Sequence, residues 1–98
     1  MSTYVFINRL KTGYNIRRGD VMYVGELDPK TVGAAIADIR SKKGVSQEVL
    51  SGLAGIGRTH LSAIERGQRK PTLETLYKLA CALDVKMSEI VIEIEKRL

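Results

Sequence analysis

From Val32 onward, apolar residues recur at spacings of three and four, the period of helices that bury one face. Val32, Ile36 and Ile39 mark a first helix, expected over about residues 31–43 and stopped by Gly44. Leu50 and Ala54 mark a second, which Ser46 suits as N-cap because its hydroxyl can accept a free backbone N–H. Leu61 and Ile64 mark a third, starting near Gly57 and Arg58 and ending near Arg66 and Gly67. Leu73, Leu76, Ala80 and Leu83 form the expected core stripe of a fourth, opened by Pro71 and Thr72, with Glu74 in its positive first turn. Ile90, Val91 and Ile94 belong to a fifth, for which Ser88 is the expected cap. The pattern predicts an all-α fold of five helices over residues 31–98, behind an N-terminal extension at residues 1–30.

The stretch QEVLSGLAGIGRTHLSAI, residues 47–64, carries the most information. Two short helical runs meet at Gly55, where the first must stop and where glycine alone takes a left-handed backbone without penalty. Ser51 is small enough to let the second run cross the first closely. Two helices joined this way form a helix-turn-helix, whose second helix enters the DNA major groove.

Residues 39–91 resemble the Cro/CI-type helix-turn-helix domain, often called the XRE family. The matching blocks are GVSQEVL (residues 44–50), LAGIGRTHLSAIERG (53–67), PTLETLYKLACALDV (71–85) and MSEIV (87–91), in that order. The resemblance covers a little over half of the chain. It implies a lambda-repressor-like fold and sequence-specific DNA binding by a transcriptional regulator. On its terms Arg58, Thr59 and Ser62 face the groove. Arg58 has the geometry to bond O6 and N7 of a guanine, and Thr59 offers a hydroxyl and a methyl. Gln47, Gly57, His60, Arg66, Gln68, Arg69 and Lys70 are then the flanking or phosphate-binding set, Gln47 standing at a helix N-terminus that favours an anion. Arg40 and Glu65 match a pair that forms a structural salt bridge in related repressors. Two positions depart from the family pattern. Ser51 stands where alanine is common, and Gly57 replaces the usual Ser or Thr cap, which removes a hydroxyl that often touches phosphate.

Charge sharpens this picture. The 98 residues carry 16 Lys and Arg against 11 Asp and Glu, a formal charge of +5. Between Arg40 and Lys70 the basic residues are Arg40, Lys42, Lys43, Arg58, Arg66, Arg69 and Lys70, and the only acids are Glu48 and Glu65. The excess falls on the unit that would need it for phosphate. Cys81 is the single cysteine, so no intramolecular disulfide or cysteine-based zinc site can form. Beside Ala80 and Ala82 it is expected to be a small core hydrophobe. His60 is the only histidine and lacks metal-binding partners, so no metal or cofactor is expected. The glycine-rich residues 52–57 lack the lysine and preceding strand of a phosphate loop, and no catalytic set is recognisable, so an enzyme is not expected. No apolar run is long enough to span a bilayer and no signal peptide is visible, which points to the cytoplasm.

Four of the five aromatics (Tyr4, Phe6, Tyr14, Tyr23) precede Asp28. The runs YVFI (residues 4–7) and VMYV (21–24) are β-prone, and Gly13, Asn15 and Gly19 between them are turn formers. A hairpin and a flexible basic arm carrying Arg9, Lys11, Arg17 and Arg18 fit the segment equally. At the other end, Ile90, Val91, Ile94 and Leu98 form a stripe reaching the C-terminus, the expected dimer contact, with Ile92 off it. The reading is a bacterial or phage transcriptional regulator, a repressor binding double-stranded DNA as a homodimer on a palindromic operator. The rival is an antitoxin-type module that also binds DNA and clamps a protein partner through its N-terminal extension.

Overall fold

The computed structural model describes residues 25–98. The runs at residues 4–7 and 21–24, with the hairpin and arm readings built on them, lie outside the described residues. Among the described residues the chain forms α1 (Pro29–Lys42), α2 (Gln47–Ala54), α3 (Arg58–Glu65), α4 (Leu73–Leu83) and α5 (Met87–Glu95), and no strand.

Local chemistry sets the boundaries. α1 begins two residues before the expected Thr31, because Asp28 caps it by accepting from the Lys30 N–H at 2.9 Å and Pro29 supplies a preset first turn. Ser46 Oγ accepts from Val49 N–H at 3.1 Å to start α2, and Thr72 Oγ1 accepts from Thr75 N–H at 3.0 Å to start α4. α4 stops at Asp84 in the left-handed region (φ 55°, ψ 46°), a conformation that Asp tolerates better than most side chains. Ser88 does not cap α5. The helix starts one residue ahead of it at Met87, which packs on the core, and the Glu89 carboxylate reaches back to the Lys86 N–H at 3.3 Å.

α1 packs on α3 and α5, α2 on α3 and α4, and α4 on α5. Each helix sends at least one side chain into the fully buried centre, which holds Ile36, Leu50, Leu61, Ile64, Leu79 and Ile90. Burying each contributes about 1.5–3 kcal/mol. Three expectations are corrected here. Leu73 is not core but 74% exposed, and Leu79 fills the stripe instead. At about 100° per residue the buried arc of α4 centres on Leu76, Leu79 and Leu83, which leaves Leu73 on its border with Tyr77. Cys81 is exposed as well: adjacent positions turn through that same angle, so buried Ala80 does not carry its neighbour inward. Finally, Ile90 and Ile94 do not form a free stripe. They are 0% and 6% exposed and close the domain's own core, while Val91 and Leu98 stand 40% and 72% exposed. α5 ends at Glu95, so Leu98 does not continue the helical stripe.

Candidate nucleic-acid interface

The turn between α2 and α3 is made by the backbone. Gly55 sits at φ 69°, ψ 29°, and donates its N–H to Gly52 O at 3.3 Å, while Ile56 N–H reaches Ser51 O at 3.0 Å. Both bonds satisfy carbonyls left open at the end of α2, and the left-handed φ is what demands glycine. Ser51, 4% exposed, lies in the crossing and donates its hydroxyl to Glu48 O at 3.1 Å. A serine is therefore accommodated in this buried place without an unmet polar group.

α3 divides cleanly by face. Leu61 and Ile64 are buried. Arg58 and Thr59 are exposed and Ser62 is half-buried, and the three fall within one arc of about 100° directed away from the core. His60, half-buried, lies on the opposite flank next to the Ile64 side of the helix. Gly57 is the N-cap and brings no side-chain hydrogen bond. Beyond α3, Gly67 turns the chain at φ 75°, and Gln68, Arg69 and Lys70 are exposed in the loop that follows. Arg66 folds back, its Nε donating to Ser62 O at 3.3 Å.

A partly buried polar cluster fixes the tilt of α3. The Arg40 guanidinium grips Glu65 in a two-point bridge, Nε to Oε2 at 2.7 Å and Nη2 to Oε1 at 2.9 Å. Arg40 also donates from Nη1 to Val45 O at 2.9 Å. Gln47 Nε2 donates to the same Glu65 Oε1 at 2.8 Å. The Arg40 and Glu65 side chains are 19% and 5% exposed. The hydrogen bond to Glu65 pushes the Arg40 pKa above the ordinary arginine value, against the opposing pull of burial. The Arg40–Glu65 pair thus ties the end of α1, the loop at Val45, the start of α2 and the end of α3. Gln47, expected from the sequence as a phosphate ligand, has its amide engaged with Glu65.

Sequence reasoning missed Gly33. It lies in α1 where a Cβ would stand 2.2 Å from Ile64 O and 2.7 Å from Glu65 O. α1 therefore crosses the end of α3 backbone to backbone. A glycine interrupting a helical pattern was the available signal.

A family model described as Helix-turn-helix matches residues 36–90. The chain belongs to this family. Its members are DNA-binding transcriptional regulators of the Cro/CI type. Among relatives, an HTH-type transcriptional regulator of Sinorhizobium fredii is 45% identical over 62 residues, covering 63% of this chain and 80% of that protein. The immunity repressor protein of Bacillus phage phi105 is 40% identical over 61 residues, covering 62% of this chain and 42% of the repressor. The crystal structure of the restriction-modification controller protein C.AhdI from Aeromonas hydrophila superimposes with a TM-score of 0.63 at 38% identity, over 66% of this chain and 98% of the controller. No helix among the described residues is long and apolar enough to cross a membrane.

Proposed function

We propose that this helix-turn-helix protein is a sequence-specific repressor that binds a palindromic operator as a homodimer in the bacterial cytoplasm. The observation that carries the reading is the outward arc of Arg58, Thr59 and Ser62 on a helix whose other end is clamped by Arg40, Gln47 and Glu65. Base readout needs side chains presented at a fixed angle, and the clamp supplies it. Arg58 reads a guanine edge, worth about 1–3 kcal/mol of discrimination; Thr59 and Ser62 contact the neighbouring bases. Gly57, His60, Arg66, Gln68, Arg69 and Lys70 flank this arc and hold backbone phosphates, with Gln47 at the α2 N-terminus. Arg69 and Lys70 are exposed cations and act by charge.

The dimer contact is the exposed apolar surface at the C-terminal end, where Val91 and Leu98 join Leu27 and Pro71 along a groove of about 320 Å³ edged by Lys70 and Glu95. An exposed concavity of this composition is the kind of surface that a second copy covers. The names of the phage immunity repressor and of other repressors among the relatives support repression.

Selection of bound duplexes from a random DNA pool at stated salt tests the reading. The expected product is two related half-sites about one helical turn apart. Arg58→Ala should then relax preference at one base pair in each half-site. Equal affinity for every duplex in the pool would overturn sequence-specific binding.

A further inference from the structure

The first turn of α1 lies against the end of α3. Gly67, which turns the chain there at φ 75°, leaves no room for a side chain: a Cβ would stand 2.6 Å from Lys30 Cγ, 2.7 Å from its Cα and 2.9 Å from its backbone N. The Lys30 stem therefore already lies over Gly67, and only two methylenes and the ammonium continue beyond that Cγ. Lys30 is exposed, as are Arg66, Arg69 and Lys70, so it brings a fourth cation to the three that flank Gly67 in sequence. Its ammonium forms no ion pair among the described residues. The neighbouring acids are engaged elsewhere. Asp28 accepts the Lys30 backbone N–H at 2.9 Å, and Glu65 is held by Arg40 and Gln47.

We propose that Lys30 binds a backbone phosphate of the DNA faced by α3, so that the first turn of α1 is part of the interface. This rests on the DNA-binding reading above and adds a contact from a helix outside the helix-turn-helix unit. Position favours it. From Arg58 to Gly67 the chain advances roughly 13 Å along the axis of α3, and the major groove is about 12 Å wide. With Arg58 at the base edges, the end of α3 stands at a groove wall, where the phosphates are. The close approach of Gly67 brings Lys30 to that wall. A lysine acts on phosphate as a point charge and needs no two-point geometry, which suits a flexible stem resting on a turn. Gly67 is then a positioning residue as well as a turn former, because any side chain there would push the first turn of α1 away from the loop.

The test is a salt titration of the full chain with the selected operator and with an unrelated duplex of equal length. Lys30→Gln keeps a stem over Gly67 and removes the charge; Lys30→Arg keeps the charge. Each phosphate neutralised contributes about 0.9 to the slope of log K against log salt. Lys30→Gln should therefore bind both duplexes more weakly, with a slope shallower by about 0.9, and its deficit should shrink about 1.9-fold with each doubling of salt. Lys30→Arg should keep the parent slope. Lys30→Gln should also unfold at the parent temperature, since a lysine with a purely structural role would move that temperature and leave the slope alone. A parent that binds duplex while Lys30→Gln keeps its slope overturns this inference and leaves the DNA-binding reading standing. A parent that binds no duplex overturns the DNA-binding reading itself, and this inference with it.

Discussion

Removing Glu65 should do more than delete an ion pair. Glu65→Ala leaves the Arg40 guanidinium, 19% exposed, with Val45 O as its remaining partner, and removes the acceptor of Gln47. An exposed pair is worth about 0–1 kcal/mol, whereas breaking a buried pair from one side costs about 3–5. The 5% exposure of Glu65 and the two-point geometry place this one between the limits, so the expected loss is about 2–3 kcal/mol. In a domain of this size each kcal/mol moves Tm by about 4–8 °C, so a fall of roughly 10–20 °C should be seen. A double-mutant cycle with Arg40→Met, which keeps much of the aliphatic stem, isolates the coupling, expected to exceed about 1 kcal/mol. The Arg40 pKa is raised on folding, so its contribution is complete below the ordinary arginine range and is lost only in stronger alkali. Arginine therefore stays charged throughout a cycle measured near neutrality. Urea unfolding supplies the four free energies. A coupling below about 0.5 kcal/mol would refute the reasoning and reduce the bridge to a screened surface contact.

The remaining predictions concern packing, pH and assembly. Gly33→Ala should destabilise by about 1–3 kcal/mol or more in urea melts, because the new methyl meets Ile64 O and Glu65 O in the backbone of α3; a net gain, as helix propensity alone would give, sinks the close-crossing argument. Asp38, bonded to Lys42 at 3.1 Å and to Arg97 at 3.2 Å, has its carboxyl pKa lowered, chiefly by the hydrogen bond to Lys42. Its stabilisation is present above the ordinary aspartate value near 3.9 and is lost as pH falls through the lower folded value. The parent and Asp38→Asn should therefore differ in Tm at neutral pH and draw together as pH falls below the ordinary aspartate range; a difference that ignores pH counts against the ion pairs. Val91→Glu with Leu98→Glu should give a folded monomer by sedimentation and weaker operator binding, and a variant still dimeric moves the interface elsewhere. Ile94→Glu, by contrast, should unfold the chain, since Ile94 is 6% exposed within the domain's own core.

What the sequence made legible follows from how local each signal was. Caps and turns depend on one residue and its near neighbours, so Ser46, Thr72 and Gly55 could be read directly, whereas at Ser88 the helix starts one residue earlier. Helix faces depend on angle, which adjacency along the chain does not give. Cys81 beside Ala80 suggested burial, yet it stands on the exposed side of α4. Ile90, Val91, Ile94 and Leu98 looked like one stripe, but the stripe is split between the core and the surface. What no pattern within one helix could show is contact between helices. Gly33 against Ile64 O and Glu65 O joins residues more than thirty positions apart. The Gln47–Glu65 bond joins two helices through one shared carboxylate oxygen. That bond alters how the site works. On the proposed reading Gln47 flanks the DNA site and is already held by the group that holds Arg40, so a change at Glu65 would alter both the tilt of α3 and the pose of that residue. Stability and DNA affinity should therefore fall together on removal of Glu65, whereas removal of the exposed Arg58 should cost affinity alone.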